Sequence, residues 1–314
     1  MPATLTTSSV WKAQTRDLRT DLDLTKDELS YCLELTGKVK SNPGRFYSAL
    51  SNRYLSLLFE KPSLRTRLTF ELAIKQLGGD SVSVIGPIGD REPLKDVARN
   101  LDRWTNGIVA RVFKQETVDE LARWSSVPVI NALSDMYHPC QALADLVTLK
   151  EKFGLLKGLT LAFVGDGNNV VHSLMMCASR LGMNFAVACP PGYEPNPDVV
   201  DRARAFASGT GASVLVTNDP HAAVASADAV YTDVWASMGQ ESEAEERKRI
   251  FHPYQVNEEL MASGPEHMAF MHCLPAKRDQ EVTDAVAESP NSVIFDQAEN
   301  RLHAQKALLL MMLD

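Results

Sequence analysis

FEKPSLRTRLTFE, residues 59–71, joins an apolar run, RYLSLLF (53–59), through a polar loop to a stretch with helical spacing, LRTRLTFELAIKQLGG (64–79). A short apolar run, a polar loop and an amphipathic helix form the repeating unit of α/β architecture. The same unit recurs on both sides. In the first half, DSVSVIG (80–86), GIVARVF (107–113) and VPVINAL (127–133) read as strands. EPLKDVARNLDRWTN (92–106) and ETVDELARWSS (116–126) read as helices, and Gly78-Gly79 as a helix stop. In the second half, LTLAFVGD (159–166), NFAVACP (184–190), ASVLVTN (212–218), DAVYTDV (228–234), MAFMHCL (268–274) and SVIFD (292–296) read as strands. DPHAAVASA starts a helix with Asp219 as cap and Pro220 in the first turn. The expected fold class is α/β, with two doubly wound domains, each a parallel sheet flanked by helices. The domains are expected at residues 1–150 and 151–296, joined through the helix PCQALADLVTLKEKFG (139–154), with a final helix at 297–314 packing back on the first.

The 314-residue length suits two such domains, and 45% hydrophobic with 23% charged residues is an ordinary globular balance. A net charge of −8 argues against a surface built for nucleic acid or an anionic membrane, so any anion must meet a local cluster. Five cysteines without a C-x-x-C pair suggest neither a disulfide framework nor a zinc site. The longest apolar stretch, ALLLMML (307–313), is too short to span a bilayer. The first 16 residues lack acids and carry Lys12 and Arg16, but are short and arginine-poor for a transit peptide. A reducing, cytoplasmic setting is expected.

Chemistry concentrates in the loops that leave strands. A helix starting near Ser63 sets its backbone N–H groups beside Arg65, Thr66 and Arg67, an arrangement suited to phosphate, although Ser63 can equally be a plain cap. YHPCQALAD (137–145) presents His138 at the carboxyl edge of a sheet, with Gln141 one turn along. FVGDGNNVVHS (163–173) has Gly165 and Gly167 between a strand and a helix. It has Val170 at the third glycine position, and no acid ends the next strand, which weakens a dinucleotide reading. Its Asn168 and Asn169 either grip a polar group or shape the turn. YTDVWASMGQE (231–241) offers Asp233 and Ser237 after a strand. MHCLPAKRDQEVTD (271–284) sets Cys273 beside His272, where a thiolate nucleophile competes with an inert buried thiol.

Taken in order, FEKPSLRTR, YHPCQALAD, GDGNN, DVWASMGQE, HCLPA and AENR resemble the ornithine carbamoyltransferases over about 240 residues. The resemblance implies a carbamoyl-phosphate domain first and an ornithine domain second, assembled as trimers or multiples of trimers, with no metal and no organic cofactor. It assigns Ser63, Leu64, Arg65, Thr66, Arg111, His138, Gln141, Cys273, Leu274 and Arg301 to carbamoyl phosphate, Cys273 and Leu274 also lying beside the attacking amine. Asn169, Asp233, Ser237 and Met238 match the positions that hold ornithine, and Arg65, Arg111, His138, Asp233 and Cys273 form the implied catalytic set.

Two departures stand out. Leu64 occupies a position where the family usually has Thr. SVIGPIGDREPLKD (83–96) is short and lacks the Gln or His that relatives supply to a neighbouring subunit, leaving Arg91 and Glu92 as its polar residues for that role. The resemblance keeps other amines, such as N-acetylornithine or putrescine, as alternatives. Glu281 stands where enzymes acting on N-acetylornithine carry Lys. A catalytically silent amino-acid binder on the same fold is the reading from another class.

Overall fold

A computed structural model describes residues 10–236 and 241–313. The chain divides into two compact units, residues 1–147 with 299–314, and residues 148–298.

The first unit holds α1 (Lys26–Ser41), β1 (Tyr54–Phe59), α2 (Leu64–Gln76), β2 (Asp80–Ile85), α3 (Leu94–Trp104), β3 (Gly107–Arg111), α4 (Gln115–Trp124), β4 (Val129–Leu133) and most of α5 (Pro139–Phe153). Its strands are all parallel, in the order β2-β1-β3-β4. β1 and β3 are apolar because they lie in the middle of the sheet, and Leu55, Leu57, Ile108, Val109 and Ala110 are fully buried. Leu58, Ile108, Ala110 and Val129 pack with Ala98 of α3 and with Val118 and Leu121 of α4 to form one core cluster. The edge strand β2 differs, for Val82, Val84 and Ile85 are 63%, 50% and 57% exposed. Leu64, Leu68 and Leu72 of α2, spaced four apart, are also exposed.

The second unit holds β5 (Thr160–Val164), α6 (Asn169–Leu181), β6 (Asn184–Ala188), α7 (Pro197–Thr210), β7 (Val214–Thr217), α8 (Pro220–Val224), β8 (Ala229–Thr232), α9 (Ala244–Phe251), α10 (Glu258–Ala262), β9 (Ala269–His272), α11 (Asp284–Ala287) and the start of α12 (Ile294–Met312). Its parallel strands run β7-β6-β5-β8-β9. Asp219 caps α8 as expected, accepting from the N–H groups of His221 and Ala222.

SVIFD is not a strand. Only Ser292 bridges to Phe270, and the helix begins at Ile294, ahead of the expected 297. Ile294 is buried while Phe295 is 64% exposed, so the apolar run is the first turn of a one-sided helix. Beyond it, Leu308 to Leu310 are fully buried. α1 was not anticipated, although Thr25-x-x-Glu28 forms a complete capping box at its start. Among the described residues no helix is long and apolar enough to cross a membrane.

In each sheet the direction of winding reverses once, between β1 and β3 and between β5 and β8. Open α/β sheets bind ligands outside the carboxyl ends of the strands at such reversals.

Candidate functional site

The first reversal point is lined by the carboxyl ends of β1 and β3. After β1, Ser63 takes an extended conformation and its Oγ accepts from the Thr66 N–H at 3.2 Å, so the residue is a true N-cap. The positive end of α2 therefore opens at the sheet edge, with Arg65 in its first turn. Leu64 is 71% exposed, so its side chain takes no part in the capped first turn. Arg111 is the last residue of β3, and His138 immediately precedes α5. Arg301 of α12 is buried and donates from Nη2 to Thr66 Oγ1 at 2.6 Å. Gln141 donates to Asp145 at 2.8 Å, while its Oε1 is buried with no hydrogen-bond partner among the described residues, an acceptor suited to an incoming N–H.

Burial, and then the charges of Arg301 and Arg111, hold the His138 imidazole well below its usual pKa. It is neutral at neutral pH, so its ring can donate a hydrogen bond without adding a third cation. A His with a depressed folded pKa contributes stability above its unfolded pKa of about 6.5, and loses that contribution as pH falls through the folded value. In an NMR titration the His138 ring resonances should stay flat between about pH 6 and 8. A midpoint inside that window would contradict this electrostatic picture.

The second reversal point is lined by the loops after β5 and β8, with β9 alongside. Asn168 caps α6, its Oδ1 accepting from the N–H groups of Val170 and Val171, and its Nδ2 donates to Asp233 Oδ2 at 3.0 Å. Cys273 Sγ, just after β9, donates to Asp233 Oδ1 at 3.1 Å. Asp166, two residues before Asn168, pairs with Arg247 of α9 at 3.0 Å. Burial lifts the Asp166 carboxyl to about 6 despite that guanidinium.

His272 and Cys273 do not form a nucleophilic pair. The Leu274 N–H donates to His272 Nδ1 at 2.8 Å, so the ring proton sits on Nε2 and is offered to the wholly buried Glu281 at 3.2 Å. Both ring nitrogens are committed. Donor atoms of Asp233, His272 and Cys273 lie within 4.8 Å of one another, but a metal would have to displace the Leu274 N–H to reach the imidazole lone pair. Leu274 itself sits in the left-handed region, at φ 57, where a residue with a side chain is seldom found.

Gly167 argues against a dinucleotide. A Cβ there would lie 2.3 Å from Pro195 N and 2.5 Å from Glu194 C, so the space that a pyrophosphate would need is taken by backbone. The glycine serves a contact between chain segments, sealed by its N–H donating to Tyr193 O at 2.9 Å.

Of the residues singled out in the sequence, Ser63, Leu64, Arg65, Thr66, Arg111, His138, Gln141 and Arg301 fall in the first unit, around α2, β3, α5 and α12. Asn169, Asp233, Cys273 and Leu274 fall in the second, and Asn169 opens α6. Ser237 and Met238 lie outside the described residues. Asn168, the cap residue next to Asn169, donates to Asp233. Arg247 emerges only from the structure, since AEERKRIF reads in sequence as a solvated charged helix.

Residues 16–151 match the pattern described as the carbamoyl-P binding domain of aspartate/ornithine carbamoyltransferase, and residues 157–312 match its Asp/Orn binding domain. The chain is 50% identical over 303 residues to a protein of Anoxybacillus flavithermus named ornithine carbamoyltransferase, covering 95% of this chain and 96% of that one. A similarly named protein of Thermococcus kodakarensis is also 50% identical over 303 residues, with the same coverage. The solved ornithine carbamoyltransferase of Pyrococcus furiosus superposes with a TM-score of 0.92 at 48% identity, over 95% of this chain and 97% of that one. With two doubly wound units, a capped phosphate-type helix start in one and the Asn168–Asp233–Cys273 network in the other, the chain belongs to the aspartate/ornithine carbamoyltransferase family.

Proposed function

We propose that the protein transfers the carbamoyl group of carbamoyl phosphate to the side-chain amine of L-ornithine, giving L-citrulline and phosphate. The observation that carries this reading is the division of labour between the two reversal points. One gathers Arg65, Arg111, Arg301 and a helix N-terminus for a phosphate; the other offers a carboxylate and a thiol that suit an amine. The names of the relatives support ornithine as the amine.

In this mechanism the helix start at Ser63–Thr66 holds the phosphate, and Arg65 and Arg301 neutralise its oxygens. Neutral His138 donates to the carbamoyl oxygen, and Gln141 Oε1 accepts from the carbamoyl NH₂. The uncharged amine attacks the carbamoyl carbon, the tetrahedral oxyanion is stabilised by Arg111 and His138, and phosphate departs, taking up the proton released from nitrogen. A free alkylamine is mostly protonated near neutral pH. Asp233 and Cys273 are assigned to orienting the ammonium and easing its deprotonation; Asp233 Oδ1 accepts a hydrogen bond from Cys273 Sγ at 3.1 Å, which holds the two groups together.

We assign residues up to the α5 boundary, with the end of α12, to carbamoyl phosphate, and the second unit to ornithine. The exposed apolar face of β2 and α2 supports a homo-oligomer, read as a trimer or a multiple of one, because an uncovered edge strand with Val82, Val84 and Ile85 outward invites pairing. Arg91 or Glu92 would then serve a neighbouring site. The expected compartment is the cytoplasm, and no cofactor is called for.

The test is citrulline and phosphate release from carbamoyl phosphate with L-ornithine, beside N-acetylornithine, putrescine and aspartate. Turnover is expected with ornithine alone. Preference for another amine would overturn the roles given to the second unit, and no turnover at all would favour a silent binder.

A further inference from the structure

Arg247 is 6% exposed, and its guanidinium makes three hydrogen bonds and packs on two aromatic rings. Nη1 donates to Asp166 Oδ2 and to the Trp235 carbonyl, both at 3.0 Å, and Nε donates to Glu243 Oε2 at 3.0 Å. The rings of Tyr193 and Phe251 lie 4.9 Å and 5.8 Å from its central carbon. Asp166 stands two residues before Asn168, and Trp235 two residues after Asp233. One rigid fork of donors therefore ties together the two loops whose side chains meet in the Asn168–Asp233 bond of 3.0 Å. The sheet beneath does not need this tie, since β5 and β8 are held by their own ladder and by the Thr232 hydroxyl donating to Val164 O at 2.7 Å.

We infer that Arg247 is a positioning residue for the amino-acid half of the site: it fixes the separation of the β5–α6 loop from the segment after β8, and so the direction in which Asp233 is offered to the substrate amine. The inference rests on the ornithine reading given above. A residue acting in this way moves the constants for one substrate and leaves the other alone, whereas a general structural role would degrade both.

The test uses Arg247→Gln/Asp166→Asn, which removes the ion pair without stranding a buried charge. The KM for L-ornithine should rise by about tenfold or more, while the Kd for carbamoyl phosphate, measured by calorimetry, changes by less than about twofold. Arg247→Lys keeps the charge but not the fork and should fall between parent and double variant. Glu243→Gln, altering a carboxylate that is 55% exposed, should raise the same KM by about two- to threefold, and it decides the question if the double variant does not fold. An unchanged ornithine KM in a folded variant, or an equal loss for both ligands, overturns the inference. The parent protein is assayed first, so that failure to turn over ornithine counts against the functional reading and not against Arg247.

Discussion

Arg65→Ala is expected to lower kcat/KM for carbamoyl phosphate by about two to three orders of magnitude, while Arg67→Ala should cost less than about threefold. The two arginines are neighbours in SLRTR and indistinguishable by composition. The structure separates them, because Arg67 is bound to Glu71 at 2.9 Å on a half-exposed surface, and Glu71 also accepts from Ser83 at 2.6 Å. Arg67 is thus committed to a local pair of the kind worth less than about 1 kcal/mol. Arg65 lies in the first turn of α2, and under the proposed function the helix dipole, the capped N–H groups and its guanidinium would together meet the charge that grows as phosphate leaves. Its half-buried position makes loss of folding an inadequate explanation for a large defect. Comparable kinetics for the two variants would refute the placement of phosphate at this helix start.

Gly167→Ala should be the most damaging change of a single methyl group. The new Cβ would meet three backbone atoms of residues 193–195, at 2.3, 2.5 and 2.7 Å, none of which can turn aside like a side chain. Either the Tyr193–Pro195 segment moves or the β5–α6 loop does, and the second breaks the Gly167–Tyr193 bond and displaces Asn168 from Asp233. Destabilisation of about 3 kcal/mol or more is expected, a fall in Tm of about 10 °C for a unit of this size. Gly209→Ala in α7 is the control: nothing lies within 4 Å of its Cβ position, so the added helix propensity should leave Tm unchanged or slightly raised. A Gly167→Ala protein as stable as its parent would mean that the loop contact does not matter.

The central strands and the loops that leave them were legible in the sequence because parallel strands buried on both faces are nearly continuous apolar runs, and all nine strands of the described residues fall within stretches read as strands. The edge strand β2 was legible from its β-branched alternation. SVIFD misled for a physical reason: five apolar-rich residues carry too little periodicity to separate a strand from the first turn of a helix. Within the candidate site, His138, Asp233 and Cys273 stood out because polar residues after strands are few, whereas Arg301, inside α12, was named only by the resemblance. The sequence could not choose between Asn168 and Asn169, whose roles depend on which one takes the extended cap conformation. Nor could it find Arg247, since a buried guanidinium in a helix with Glu245, Glu246, Lys248 and Arg249 looks like its solvated neighbours until the fold turns it inward.

The bond between Arg301 and Thr66 joins residues 235 positions apart in sequence. On the ribosome, the helix start at Ser63 emerges long before its buried guanidinium partner, and the whole of residues 148–298 must be made in between. The first unit is therefore incomplete, with Leu308–Leu310 still to be buried, until α12 has followed the second unit out. A product cut short anywhere before α12 would leave Thr66 without the guanidinium of Arg301 and the first unit without the buried Leu308–Leu310.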